Sequence, residues 1–217
     1  MRSRFDEQLA QLHRELIEMG ALCEEVIAAA AKALMEGDTA LAAQIAPRAG
    51  EIDRQERDIE SLCLKLLLQQ QPVARDLRQI SAALKMITDM ERIGDQAEDI
   101  AEIISFLQGR SGEECAFVGH MARSAISMVT GSVDAYVRRD TALAREVIAR
   151  DDVVDEDFRK VKATLIDWIA RRPDDGEYAL DLLMIAKYFE RIGDHATNIA
   201  EWVVFAVTGV HNGEELT

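Results

Sequence analysis

Apolar residues return every three or four positions through nearly the whole chain, a spacing that predicts helices rather than strands. From Phe5 to about Glu36 the stripe runs through Leu9, Leu12, Leu16, Met19, Cys23, Val26, Ala30 and Leu34. Gly37 and Asp38 end this helix and cap the next. A second helix starts near Thr39, is expected to break around Pro47 to Gly50, and resumes through Ile52, Ile59, Leu62 and Leu66 before Pro72. Pro72 suits the first turn of a third helix that runs to about Gln108. Gly109-Arg110-Ser111-Gly112 is the clearest linker. Beyond it, helices are predicted over about 113–139, 141–170 and 175–207, the second with Val154, Phe158, Val161, Leu165 and Trp168 on its stripe. A short polar tail after Gly209 is expected to fray.

The pattern repeats. Asp38-Thr-Ala-Leu-Ala42 returns as Asp140-Thr-Ala-Leu-Ala144, an offset of 140 − 38 = 102, and Glu91-Arg-Ile-Gly-Asp95 returns as Glu190-Arg-Ile-Gly-Asp194, an offset of 190 − 91 = 99. The second copy is therefore shorter by 102 − 99 = 3 residues, expected to be missing from the turn containing Pro173, Asp174 and Gly176. Matching order and spacing point to an internal duplication. The expected fold class is all-α, with six helices forming two similar three-helix bundles over residues 1–109 and 110–217.

Composition agrees: aromatics are only 5% and Pro only 3 residues, while helix-forming types dominate. The net charge of −15, from 40 acidic and 25 basic residues, excludes a broad basic face for nucleic acid or anionic membrane and favours cations and basic protein surfaces. Cys23, Cys63 and Cys115 form neither a C-x-x-C pair nor a disulfide framework, which suits a reducing cytoplasm. The opening residues lack a signal-peptide core, and no apolar run is long enough to span a bilayer, so a membrane is reached only through partners.

Two carboxylates four residues apart on a helix repel by a few tenths of a kcal/mol, and a mid-helix Gly costs roughly 1 kcal/mol relative to Ala. The chain accepts both costs twice, and a bound cation with a close helix neighbour would offset them. On a helical wheel Met86, Met90, Ile93, Ala97, Ile100 and Ile104 face the bundle, while Glu91, Asp95, Glu98 and Glu102 fall on nearly the opposite, outward side. Ile185, Phe189, Ile192, Ala196 and Ile199 repeat the inward stripe, with Glu190, Asp194 and Glu201 outward. The segments 91–102 and 190–201 agree at nine of twelve positions, differing at Gln96/His195, Glu98/Thr197 and Asp99/Asn198.

One such pair supplies too few ligands alone. By the 102 offset, Asp151 and Asp155 correspond to Ala49 and Asp53, so the second half can assemble two pairs and the first half lacks one acid, for which Glu51 or Glu56 is a candidate substitute. The C-terminal set is expected to be the more complete. Oxygen-only donors suit Mg²⁺, Mn²⁺, Ca²⁺ or Fe³⁺, and an added imidazole would admit Zn²⁺ or Fe²⁺. His195 is open to two readings, further ligand or surface hydrogen-bonding residue. The bland alternative for the acids is a solvated face paired with Arg92, Arg191 and other bases.

With these residues in view, the chain resembles the PhoU family, the phosphate-uptake regulators of bacteria and archaea. The likeness runs through Phe5-Asp6-Glu7, Glu18-Met-Gly20, Gln69-Gln-Gln-Pro72-Val73-Ala-Arg-Asp-Leu77-Arg78 and both Glu-Arg-Ile-Gly-Asp helices. The resemblance implies two three-helix bundles, a homodimer, and metal sites of iron or zinc built from E(D)-x-x-x-D pairs. Carried onto this sequence, these are Glu91/Asp95, Glu190/Asp194 and Asp151/Asp155, with Asp53 as half of a fourth. It further implies a non-enzymatic negative regulator of the phosphate-starvation response, linking the ATPase component of a phosphate ABC transporter to a sensor histidine kinase.

Two other classes are weighed against this adaptor. A carboxylate-bridged metalloenzyme normally takes Glu-x-x-His pairs, and none occurs: Ala10, Phe117, Ile192 and Thr208 stand three residues before the four histidines. A purely structural helical module would leave the acids solvated.

Overall fold

The computed structural model describes residues 2–69, 72–211 and 214–215. Helix α1 spans Arg2–Glu36, α2 Thr39–Ala42, α3 Ile45–Gln69, α4 Ala74–Phe106, α5 Glu113–Arg138, α6 Thr141–Arg171 and α7 Gly176–Thr208, with a 3₁₀ turn at Pro173–Asp175. The fold is all-α: six long helices, in which α1, α3 and α4 form one three-helix bundle and α5, α6 and α7 the other. The tail does not simply fray, because Val210–His211 pairs antiparallel with Glu214–Glu215 and the His211 ring packs 3.9 Å from that of Trp202. The remaining tail positions, 212, 213, 216 and 217, lie outside the described residues, as do 70 and 71 of the Gln-Gln-Gln segment.

The repeated caps act alike. Asp38 accepts a hydrogen bond from the Leu41 N–H at 2.9 Å, and Asp140 accepts from Ala142 and Leu143 at 2.9 and 3.0 Å. Three boundaries differ from the sequence reading. The break in the second predicted helix falls at Ala43-Gln44, not at Pro47 to Gly50; Pro47 is the third residue of α3, in the turn whose N–H groups have no helical partner to lose. Helix α4 begins at Ala74, after Pro72, because extended Val73 is its N-cap and its carbonyl takes the first bonds from Asp76 and Leu77.

The third difference concerns the missing residues. The connections 70–73 and 172–175 are equally long, as are α4 and α7 at 33 residues each, but Glu91 lies 91 − 74 = 17 positions into its helix and Glu190 only 190 − 176 = 14. The deletion was absorbed by the start of α7 rather than by the turn at 173–176. Shortening a helix end moves its start by about 4.5 Å and leaves the register of everything after it intact.

The bundles share one continuous apolar core. Its most extensive helix pairing is α4 with α7, across the junction of the halves, and α1 also packs on α5. Helix α4 is consequently buried on more than the stripe its wheel shows: Ile80, Ile87, Gly94 and Ala101 are covered as well as Met90, Ile93 and Ala97. Polar bonds tie the same seam. Asp89 of α4 accepts from Asn198 at 3.0 Å and lies 2.9 Å from His195 Nδ1, both on α7. The duplicate of Asp89 is Tyr188 (89 + 99), which is a hydrogen-bonding neighbour of Asp99, the duplicate of Asn198. All three cysteines are buried core residues, and burial pushes the Cys63 thiol up to about 12.

Candidate metal centre

Each Glu-Arg-Ile-Gly-Asp segment is held where its helix passes close to the neighbouring one. A Cβ added at Gly94 of α4 would lie 3.1 Å from Ile52 Cδ1 of α3, and one at Gly193 of α7 would lie 3.4 Å from Val154 Cγ1 of α6. Ile52 and Val154 are themselves duplicates (52 + 102 = 154). The glycine is thus the contact point that sets two carboxylate-bearing helices side by side, which is the close neighbour its helical cost required.

In the first half this places Asp53 of α3 against Glu91 and Asp95 of α4, with a carboxylate oxygen from each within 4.8 Å of the others. All three are half-buried. The acids do sit on the outer side of their bundle, but in the α3–α4 groove rather than on the free face the wheel suggested, because α4 is packed on several sides. Burial raises the Glu91 carboxyl above its usual range, the Asp95 charge adds to this, and the Arg92 guanidinium opposes it. Arg92 spans the pair, 3.5 Å from Glu91 and 3.3 Å from Asp95, from an exposed position.

In the second half Asp151 and Asp155 of α6 face Glu190 and Asp194 of α7. The Asp194 carboxyl is pushed up to about 6, first by burial and then by the charges of Glu190, Asp151 and Asp155, with Lys187 opposing. Solvent still reaches Asp194, so water screens part of this repulsion. Asp151 is also raised by burial, partly offset by the hydroxyl of Thr197, which donates to Asp151 Oδ1 at 3.2 Å. Lys187 donates to Glu190, and Arg159 lies 4.0 Å from Asp155. The second set has four acids, as the sequence suggested. Its acids are more engaged with bases and hydroxyl groups, whereas the first set is the compact one.

Opposite Ala49 the first copy carries an acid where the second has Thr197. Thr197 and Asp151 are partners in the second half; their duplicates are Glu98 and Ala49 (197 − 99, 151 − 102). Glu98 is raised by burial and then by the charges of Asp53 and Asp95, so it shares their field. The copies thus set Thr against Asp in one and Glu against Ala in the other, with Glu98 exposed and outside the compact cluster of Asp53, Glu91 and Asp95. The Glu56 charge also raises Glu91, least among the causes. Glu98 was in the outward ladder read from the sequence but was not assigned to the site; its signal was the Glu98/Thr197 mismatch taken together with the Ala49/Asp151 one.

The donor set fits a hard cation. Three or four carboxylates, without imidazole or thiolate, suit Mg²⁺, Mn²⁺, Ca²⁺ or iron, and suit zinc less well. His195 is committed to Asp89 in the seam, on a different side of α7 from the acids. The Arg191 charge opposes the raising of the Asp99 carboxyl in the seam.

Such a fold and paired acidic grooves define a duplicated helical scaffold. A family model described as the PhoU domain matches residues 16–104 and again 118–203, and the chain belongs to this family. It is a family of regulatory accessory proteins, not of enzymes. Among relatives, a phosphate-specific transport system accessory protein PhoU homolog of Clostridium acetobutylicum is 36% identical over 210 residues, covering 96% of each chain. The Pseudomonas aeruginosa homolog is 34% identical and covers 95% of this chain and 86% of its own. Among solved structures, the crystal structure of PhoU from Pseudomonas aeruginosa superposes with a TM-score of 0.92 at 34% identity, covering 95% of this chain and 100% of that one. The phosphate transport system regulatory protein PhoU from Streptococcus pneumoniae gives 0.85 at 25% identity, covering 98% and 99%.

Proposed function

We propose that this protein is a cytoplasmic regulator of phosphate uptake, an accessory to a phosphate-specific transporter that restrains the phosphate-starvation response by linking the transporter's ATPase component to a sensor histidine kinase. The observation that carries the reading is the end-to-end relation to proteins named as accessories of phosphate-specific transport, 36% identical over 96% of both chains. An acidic helical body fits a docking role, and among the described residues no helix is long and apolar enough to cross a membrane. The reading keeps 1–109 and 110–217 as its two units, supported by family matches on either side of that boundary, and takes the working form to be a homodimer.

Metal holding belongs to the same proposal. Asp53, Glu91, Asp95 and Glu98 would hold a cation in the first groove, and Asp151, Asp155, Glu190 and Asp194 in the second, where the cation would supply positive charge that relieves the repulsion raising Glu91 and Asp194. The regulatory test is a deletion strain grown on plentiful phosphate together with capture of the tagged protein. We expect derepressed phosphate-responsive genes and co-purified ATPase and kinase; normal repression and neither partner would refute the role. Metal content of protein purified without chelator or metal-recruiting tag, against an Asp95→Ala plus Asp194→Ala control, tests the grooves separately.

A further inference from the structure

An acidic chain would be expected to pair its arginines with its abundant carboxylates, yet three converge where none lines the wall. Arg75 and Arg78 from the start of α4 and Arg139 from the end of α5 border a cavity of about 370 Å³ between the halves, with His13, Gln79 and Tyr136 completing its polar side. Among the described residues none of the three guanidinium groups has an ion pair. Arg78 Nε, a donor of the wall, is buried and lacks a hydrogen-bond partner there, and Gln79 Oε1, an acceptor on a side chain only 8% exposed, has no partner beyond His13. His13 stands beside Gln79 and bonds to Tyr136. Opposite them, Ile17, Val203 and Val207 make an apolar wall.

The duplication shows that the scaffold does not require these arginines. Adding 99 carries Arg78 and Gln79 onto Glu177 and Tyr178, which line the equivalent cavity at the opposite end with Leu107 and Gln108, the duplicates of Ala206 and Val207; Arg75 lies in the first turn of α4 that α7 lacks, and Asp174 stands in the preceding connection there. There Tyr178 bonds to Cys115, the duplicate of His13 (115 − 102 = 13). One architecture has been built twice, cationic at one end and, although Arg110 also lines its wall, net acidic at the other through Asp174, Glu177 and Asp181. Arg139 adds a conformational cost: its φ of 53° is left-handed, and its duplicate is Gly37. Gly37 is forced, since an added Cβ would lie 2.4 Å from the Gly109 carbonyl oxygen. At 139 a long cationic side chain occupies a backbone conformation unfavourable to non-glycine residues, a cost tolerated where a side chain is needed in place.

We propose that this cavity is a binding site for a small phosphorylated anion, its oxygens held by Arg75, Arg78 and Arg139 and any organic body lying on the apolar wall. Arginine forks match tetrahedral oxyanions by paired N–H···O bonds. The remaining lone pair of the Gln79 carbonyl oxygen narrows the class. At neutral pH inorganic phosphate carries an O–H that can donate to Gln79 Oε1, as does the monoanion of a phosphate monoester, whereas sulfate and sulfate esters carry none. The volume exceeds that of a bare ion, which leaves room for an ester.

The test is titration calorimetry of the full chain at pH 6.5 in phosphate-free buffer with chelator present, so that the acidic grooves play no part, using inorganic phosphate, phenyl phosphate, sulfate and phenyl sulfate as probes. We expect saturable binding of at least one phosphate probe, about tenfold or more tighter than its sulfate counterpart. Tighter binding of phenyl phosphate than of phosphate would support an ester with an apolar body, and the reverse would support the free ion. R75Q, at an exposed position, should weaken the phosphate probe about tenfold. R138Q, removing a neighbour that pairs with Asp134 outside the cavity, should leave it unchanged, and Q79L should narrow the gap to sulfate. An unchanged unfolding midpoint confirms that each variant is folded. Absence of saturable binding by both phosphate probes, wild-type affinity in R75Q, equal loss in R138Q, or equal affinity for phosphate and sulfate would overturn the proposal.

Discussion

Gly94 and Gly193 look identical in sequence and differ in their surroundings. Replacing a mid-helix glycine by alanine gains up to about 1 kcal/mol if the methyl group has room. At Gly193 the nearest atom is at ordinary contact distance, whereas at Gly94 Ile52 would have to give by a few tenths of an ångström. We expect Gly193→Ala to raise unfolding free energy by about 0.5–1 kcal/mol and Gly94→Ala to gain clearly less, measured by denaturant unfolding of both variants. The helical period and the need for a close neighbour were legible from these residues alone. So was Asp53, through the 102 offset. The nearness of Glu98 in charge to Asp53 and Asp95 was not, because a repeat is recognised by agreement and Glu98 stands at a disagreement that only the paired helix explains. A direct check is Glu98→Thr, which restores the second copy's residue opposite Ala49; we expect it to weaken Mn²⁺ binding in the first groove severalfold while leaving an Asp194→Ala background otherwise folded, read by metal titration.

At the scale of elements, the caps and the seam carry separable parts of the stability. Asp140 satisfies two N–H groups of α6, and Asp140→Ala should cost about 1 kcal/mol in denaturant unfolding, with little change from Asp140→Ser. In the seam, Asp89→Ala removes one acceptor shared by His195 and Asn198. Exposed Asn198 can turn to water but half-buried His195 cannot do so freely, so a loss of about 1–2 kcal/mol is expected. Helix existence and the linker at 109–112 followed from periodicity and glycine. What periodicity could not supply was the second packing face of α4 and α7, because the apolar period of a helix points in one dominant direction and these helices are buried in several. The shortened start of α7 escaped for a related reason: a deletion at a helix end leaves no break in the apolar period.

For the whole molecule, both grooves contain carboxyls whose folded values lie above their unfolded ones, Glu91 in the first and Asp151 and Asp194 in the second, the last at about 6. Such a group binds more protons in the folded than in the unfolded state, so stability rises as pH falls through the folded value and flattens below the unfolded one. Metal-free protein should therefore melt at higher temperature near pH 5 than at pH 7, and Asp194→Asn should raise the pH 7 midpoint and flatten the slope. Excess Mn²⁺ should reverse the trend, because bound cations favour the ionised acids. Thermal unfolding at several pH values, with chelator and with Mn²⁺, checks both.

The seam between α4 and α7 bears on the history of the chain. Because the two halves bury their broadest apolar contact against each other, a single copy existing alone would have exposed that face to water and found its own twin the best cover. A pair of identical chains joined end to end would have this arrangement. In such a joined chain, positions that had to face their own duplicates would be free to specialise, as where Asp89 meets His195 while Tyr188 meets Asp99.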